Sequence, residues 1–573
     1  MFFKHFHFIA HKSLYIQSEL VDKMKTKNET AEKTKKAKAN TKKSNEMENY
    51  NEIENALNTT STVLEEEDLM LYNSFSLAEN GNLDFTQLLK SLESMGIKRN
   101  DPRLKLDAFF ENETEEESNW TLSFEQFRKF LINTQGDLIR DALKGNLVIP
   151  DFKDFIKELK RIYDITKHDT SGQVATYIPQ LGRVNPEHYA VSVCTVDGQR
   201  HGIGEIDKYF CIQSICKPIN YCLALEEWGE EIVHKHVGRE PSGIGFNGLV
   251  LNSKGLPHNP MINYGAIMSC SLLKPNEEMA DRFEYVLNTW TKLSGGIPAN
   301  FNNSVYLSER LTADRNFALG YFIKENGAFP DGTDLLQTLE FYFQSCSVEV
   351  NADAMAIAAS TLANGGVCPL TGKRVFSSDT VKDCLSLMSS CGMYDFSGEF
   401  AFTIGLPAKS GVAGGLMVVV PNLFGLCIWS PRLDDLGNTV RGIEFCKELV
   451  KTFNFHLYDS LTAGTHSKKD PRLQKNASKI DNIISLCWAA SQGDLQEVKH
   501  LYAKGVDING SDYDLRTPLH LAASEGHENV VKYLLKRNVF AYPIDRWGNS
   551  PLDDAKRHHH ENVVKMLNDY KSN

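Results

Sequence analysis

Between residues 151 and 460 the apolar positions gather in short runs. "YAVSVCTVDG", "LMVVV" and "LCIWS" are rich in β-branched and aromatic residues and are bounded by turn formers. That is the pattern of strands covered on both faces. "GLMVVVPNLFGLCIW" is interrupted by Pro421 and Gly425, so it predicts two buried strands joined at Pro421-Asn422. "NADAMAIAASTLANGG" has helical length and ends on Asn364-Gly365, a helix stop. Strands mixed with helices predict one α/β domain with a partly antiparallel sheet. From 61 to 150 the period is helical, as in "LDFTQLLKSLESMG".

The last stretch, 481–573, repeats itself. "WAASQGDLQEVKHLYAKGVDIN" is answered by "LAASEGHENVVKYLLKRNVFAY". Gly493 to Gly526 is 33 residues, as is Pro518 to Pro551. That period with "TPLHLAAS" is the ankyrin signature, a turn and two helices per unit. Two units are clear and a third, shorter one ends the chain. His558, His559 and His560 lie in that third unit, and a solvated surface explains them better than a metal. Residues 461–480 read as a linker.

Composition sharpens this outline. A chain of 573 residues with 42% hydrophobic content accommodates three or four domains and a large core. The formal charge of −12 gives no general attraction to nucleic acid. No stretch reaches the roughly 18 uninterrupted apolar residues of a membrane span. Residues 1–60 hold little core pattern, and "KMKTKNETAEKTKKAKANTKK" carries nine lysines against Glu29 and Glu32. Such a run is usually disordered. Its functional reading is a mitochondrial targeting segment, although those favour Arg and the first Arg here is Arg99. "SLAENGNLDFTQ" faintly resembles a calcium-binding loop. With Gly81 at the turn, the ligand positions fall on Ser76, Ala78 and Gln87. The required carboxylates are missing, which predicts a helical pair without metal. The twelve cysteines form no C-x-x-C pair and sit in apolar surroundings, so they read as reduced core residues and not as a zinc site.

Chemistry enters at "YFCIQSICKPINYCLAL", where Ser214 and Lys217 interrupt an apolar run three residues apart. A helix over 214–226 puts both on one face. Pro218 fits only a first turn, which places Ser214 at the amino end, where free N–H groups favour an oxyanion. A lysine packed among Ile215, Tyr221 and Leu225 loses hydration, so its pKa falls and it becomes a base for the serine. S-x-x-K alone is weak. A second copy, Ser271 to Lys274, runs into Pro275 and predicts a solvent-facing lysine. What lifts Ser214 is "PAKSGVAGG": Lys409-Ser410-Gly411 matches the K-[ST]-G that accompanies S-x-x-K in penicillin-recognising serine hydrolases. Gly411, Gly414 and Gly415 would let backbone approach a ligand closely. Tyr394 in "CGMYDFSG" is a third element, and alone reads as a buried aromatic.

With "YIPQL", "VSVCTVDGQRHG", "CKP", "EPSG", "PHNPMINYGAI", "DRNFALGY", "CGMYDFSG" and "GLPAKSGVAGG" in order, residues 61–460 resemble the mitochondrial, phosphate-activated glutaminase family. The helical region and the ankyrin tail suit the same family. The resemblance implies a serine β-lactamase-like catalytic domain at 151–460, an all-α EF-hand-like region at 61–150 and an ankyrin solenoid at 481–573. It implies hydrolysis of L-glutamine to L-glutamate and ammonia, with no metal or organic cofactor and with inorganic phosphate as activator. Ser214 matches the nucleophile, Lys217 its base and Tyr394 a proton relay. The N–H groups of Ser214 and Val412 match an oxyanion hole. Tyr177, Asn263, Asn316 and Tyr342 match substrate-positioning groups, and Glu309 the carboxylate facing the α-ammonium. On the residues alone, Asn263 is turn chemistry and Glu309 beside Arg310 a surface pair. The resemblance further implies mitochondrial location, a homo-oligomer from dimer to tetramer or filament, and a protein partner for the ankyrin tail. The glycine-rich loop from Pro241 to Pro260 matches one that couples phosphate-promoted assembly to activity. Val250 and Gly248 stand where the kidney-type form has an aromatic and a lysine, so inhibitors clamping that loop would bind weakly here. Two rival readings are a β-lactam-recognising serine hydrolase and an ankyrin scaffold with an inactive enzyme domain.

Overall fold

Asp84 and Ser123 each start a helix by accepting an N–H three residues on, from Gln87 and Gln126. Strand β1 (Leu83–Asp84) feeds α1 (Phe85–Ser94), and β2 (Thr121–Leu122) feeds α2 (Phe124–Asn133). The two strands pair antiparallel, Leu83 opposite Leu122, which sets the helices side by side around Phe85, Leu88, Leu92, Phe127 and Phe130. Helix α3 (Gly136–Lys144) closes on Gly145 in the left-handed conformation. These residues belong to a computed structural model that describes 68–69, 71–73, 82–110, 120–243, 248–462, 468–473, 479–512, 514–537 and 539–571. The expectations for the 1–60 segment and for the calcium-loop turn at Gly81 lie outside the described residues, as does 244–247 of the glycine-rich loop. The chain forms two units, Met1–Met70 and Leu71–Asn573, and the second is the subject from here on.

The catalytic region begins with α4 (Phe152–Thr166). It builds a five-stranded sheet in the order β4 (Arg200–Gly204), β3 (Ala190–Thr195), β10 (Phe424–Trp429), β9 (Gly415–Val420), β8 (Ala408–Ser410). The two apolar runs around Pro421-Asn422 are the hairpin β9–β10, with Asn422 at φ 60°. Every pairing is antiparallel, where the sequence predicted only part of them. Alternation divides the side chains. Val191, Val418 and Leu426 face α4 and α12 (Val440–Thr452), whereas Cys194, Met417 and Cys427 face a larger helical lobe.

That lobe contains α5 (Cys216–Trp228), α6 (Asn263–Leu272), α7 (Asn303–Leu311), α8 (Asp314–Glu325), α9 (Leu335–Cys346), α10 (Ala352–Ala363) and α11 (Ser378–Cys391). A small sheet, β5 (Phe210–Cys211), β7 (Val348–Val350), β6 (Asn300–Phe301), sits at its edge. The alanine-rich α10 packs directly on the large sheet. A Cβ on Gly425 would stand 2.0 Å from the Ser360 nitrogen, so this strand glycine is there for helix contact. Helices on both faces of one antiparallel-paired sheet, with the second lobe inserted, make the serine β-lactamase-like α/β class.

Three helical pairs end the chain: α13 (Lys479–Ser491) with α14 (Leu495–Ala503), α15 (Pro518–Ser524) with α16 (Glu528–Leu535), and α17 (Pro551–Arg557) with α18 (Glu561–Lys571). His527 Nε2 donates to the Ser491 carbonyl and packs over Gly493. His560 repeats this one period later with Ser524 and Gly526. His560 is therefore a packing residue, a correction to the solvated reading, while His558 and His559 are exposed. Helix α14 docks on the EF-hand-like region: Lys499 Nζ donates to Gln87 Oε1 at 2.6 Å, Ser91 Oγ to Gln496 Oε1 at 3.2 Å, and Ala503 sits in that region's core.

All twelve cysteines are buried and free. Among the described residues no His, Cys, Asp or Glu cluster could hold a metal, and no helix is long and apolar enough to cross a membrane.

Candidate active site

The nucleophile candidate sits on a turn, just ahead of the helix the sequence predicted. Residues 213–215 form a 3-10 turn and α5 starts at Cys216, so Ser214 precedes the α-helix that was expected to include it. Pro218 falls in the first turn of α5, as its ring demands. Gln213 takes a left-handed φ of 49°, and Tyr394 one of 53°. Such backbone is unfavourable for residues with a Cβ and persists only where the surroundings enforce it. Both flank the serine.

Lys217 is fully buried. Its Nζ donates to Ser214 Oγ at 3.0 Å and to Asn263 Oδ1 at 2.7 Å. Asn263 Nδ2 donates in turn to Asn316 Oδ1 at 3.1 Å. Burial lowers the Lys217 pKa below the usual lysine value, which favours the free amine that a base needs. Tyr394 hydrogen-bonds Ser214, and its hydroxyl donates to the Ser410 carbonyl at 3.0 Å. Burial raises that phenol well above normal.

These groups open into a cleft of about 770 Å³ lined by Tyr177, Ser214, Asn263, Glu309, Asn316, Tyr342, Tyr394 and Val412. All eight substrate-binding candidates therefore converge, and Lys217 stands directly behind Ser214. Tyr177 shows 59% of its surface to solvent and stands at the mouth of the cleft. Glu309 is not the surface partner of Arg310. It is buried, while Arg310 pairs with Glu340 at 2.5 Å. Burial lifts the Glu309 carboxyl from 4.5 to about 7, opposed by its hydrogen bond from Gln213 and by Lys217. A buried carboxylate without a salt bridge is a natural seat for a cation carried in by a ligand.

Gln213 escaped the sequence reading. Its Nε2 donates to Glu309 Oε2 and to the Cys346 carbonyl, both at 3.2 Å. The available signal was a lone amide in the apolar run beside Ser214. The rim formed by Thr312, Arg315 and Asp434 to Gly437 was also missed. The glycines of "KSGVAGG" are also packed closely against protein atoms. A Cβ on Gly411 would lie 2.6 Å from the Ile212 carbonyl oxygen, one on Gly414 2.3 Å from that of Ser430, and one on Gly415 2.9 Å from the Phe210 ring. Lys409 points into the core. At the second S-x-x-K, Ser271 Oγ donates to the Met268 carbonyl and Lys274 pairs with Glu277, so the two never meet. A further cleft, about 470 Å³ near Asp151, Trp488 and Glu497, is lined by other residues and shares none with this one.

A β-lactamase-like fold whose cleft joins a serine and a fully buried lysine is the arrangement of a serine hydrolase. Residues 172–458 match the glutaminase family, 486–573 match ankyrin repeats (three copies) and 67–150 an EF-hand domain. The chain is 44% identical to the mitochondrial liver isoform of glutaminase from Mus musculus, over 75% of this chain and 72% of that one. It is 42% identical to a glutaminase of Nostoc sp., covering 56% and 96%. The solved structure called probable glutaminase ybaS superposes with a TM-score of 0.51 at 34% identity, over 53% of this chain and 97% of that one. The chain belongs to the glutaminase family and is a glutamine amidohydrolase with C-terminal ankyrin repeats.

Proposed function

We infer that glutamine hydrolysis here runs through a glutamyl ester on Ser214. The observation carrying this reading is the 3.0 Å contact between Ser214 Oγ and the fully buried Lys217 Nζ. Lys217 takes the Ser214 proton, and Oγ attacks the side-chain amide carbon. The N–H groups of Ser214 and Val412 hold the oxyanion. The tetrahedral intermediate collapses as the amide nitrogen gains a proton through Tyr394 or Lys217, and ammonia leaves. Water then adds to the ester by the reverse relay and releases glutamate. Glu309 receives the α-ammonium, while Tyr177, Asn263, Asn316 and Tyr342 fix the amino-acid end. Rapid acid quenching during turnover, followed by mass spectrometry, should find a glutamyl adduct on the peptide containing Ser214. No adduct, with ammonia release intact, would count against the ester.

The cofactor and assembly expectations belong to the same reading: no organic cofactor, inorganic phosphate as activator, and a homo-oligomer from dimer to tetramer or filament. The phosphate and assembly readings rest on the resemblance of the Pro241–Pro260 loop, and the cofactor-free reading on a mechanism that needs only side chains and water. Light scattering and ammonia release followed together across a phosphate titration test this, and a particle of constant mass with rising activity would defeat control by assembly. Mitochondrial location is supported by the name of the mouse relative. An ankyrin-bound protein partner and the division at 60, 150, 460 and 480 complete the proposal.

A further inference from the structure

Two lysines of the catalytic region are wholly buried, Lys217 and Lys409. The first has a place in the chemistry and the second has none so far. The K-S-G pattern would put Lys409 against a ligand, yet it is absent from the cleft lining. Its Nζ donates to the carbonyls of Gly392 at 2.9 Å and Ser410 at 2.8 Å, and lies 4.4 Å from the centre of the Tyr394 ring. The Gly392 carbonyl also accepts the Ser410 N–H at 3.3 Å. The Ser410 carbonyl also accepts the Tyr394 hydroxyl at 3.0 Å. One oxygen is thus gripped by both the lysine and the tyrosine.

We propose that Lys409 is a positioning residue for Tyr394: it fixes the Ser410 carbonyl to which the tyrosine donates, and so turns the phenol's lone pairs toward Ser214. Several observations converge on this. Tyr394 sits on left-handed backbone that something must hold. Gly392, two residues earlier, is pressed so close to β8 that a Cβ there would meet the Ala408 carbonyl at 1.8 Å. The lysine ties this junction from beneath. Burial, together with the charge of Lys217, lowers the Lys409 pKa well below normal, while Cys216 and Cys391 act the other way.

The inference rests on the reading of Tyr394 as proton relay, and one mutant cycle on the full chain separates the two. Tyr394→Phe should lower kcat by about 10²-fold or more, the usual range for losing an acid–base group. Lys409→Met, which keeps the volume and removes the donors, should lower kcat by roughly 10-fold or more at nearly constant KM, since small displacements of a reacting group are costly. Adding Lys409→Met to Tyr394→Phe should cost less than about 3-fold further, because residues acting as one unit are not additive. If Tyr394→Phe keeps full activity, the relay reading fails. If the two single losses instead multiply in the double variant, the relay stands and the Lys409 proposal falls. Lys409→Met retaining parental kcat also overturns it. Should that variant lose its cooperative melt, Lys409→Gln, which keeps an NH2 donor, replaces it in the cycle. Unfolding of both would assign the lysine to the core and refute a role through Tyr394.

Discussion

Glu309 shows most directly how burial sets function at a single residue. With its carboxyl raised to about 7, the free protein holds a mixture of acid and carboxylate near neutrality. In the proposed reading, an arriving α-ammonium needs the carboxylate. Apparent KM for glutamine should therefore rise as pH falls through about 7, and Glu309→Gln should flatten that limb while lowering kcat/KM, since a charged hydrogen bond contributes about 1.5–3 kcal/mol. The same shift has a sign for stability. The folded chain holds this proton more tightly than the unfolded one, so stability is lost as pH rises from about 4.5 to about 7. A rise of that size corresponds to roughly 3 kcal/mol as an upper figure. Glu309→Gln should thus melt higher than the parent at pH 8 and not at pH 4, as calorimetry would show. Ser214→Ala should abolish turnover with folding intact. Ser271→Ala should leave kcat unchanged, because its hydroxyl is spent on the Met268 carbonyl.

At the scale of elements, what was legible was what is local. The β9–β10 hairpin, the stop of α10 at Asn364-Gly365 and the helix with Pro218 in its first turn each follow from neighbouring residues. What stayed hidden depends on distant chain. Gln213 and Glu309 are 96 positions apart, and no period or spacing announces their hydrogen bond. The inward direction of Lys409 is set by where Gly392 arrives. Antiparallel pairing of β10 with β3 joins segments more than two hundred residues apart. The glycines of "KSGVAGG" were visible but their neighbours were not, since the atoms nearest to them belong to Ile212, Ser430 and Phe210, far away in the chain or hidden by the fold. Gly411→Ala tests that packing. Its Cβ would press on the Ile212 carbonyl and shift the adjoining Val412 amide, and kcat should fall by about 10²-fold, comparable with losing one oxyanion donor, at little change in KM.

Across the whole chain the 33-residue repeat was plain, but its seat on the EF-hand-like region was not, because helix faces that meet carry no common sequence mark. Besides Lys499, Gln496 and Ala503, His500 packs over Gly145 and Arg537 donates to the Asn73 carbonyl. Lys499 is buried there, its pKa lowered to about 8 by burial and by Arg537. Ala503 lies in the neighbouring core. Ala503→Glu would put an unpaired charge into that core at a cost of several kcal/mol. It should free α14 from α3, seen as faster amide exchange in Gly136–Lys144, while glutamine hydrolysis continues at a cleft built from other residues. Unchanged exchange would mean the two regions are held by contacts other than this one.

The unpaired thiols described above make the molecule its own reporter. Eleven of them lie in the catalytic region between Cys194 and Cys446, and a single one, Cys487, lies in the ankyrin stack. All are buried, so alkylation by a dissolved agent depends mainly on local opening of the structure. The rate at which each cysteine is trapped therefore measures how often its own neighbourhood breathes. Cys216 and Cys346, whose sulfurs are 3.8 Å apart beside Ser214, would time the opening of the cleft floor. Cys487 would time the solenoid separately. Saturating glutamate should slow the first clock and leave the second running as before.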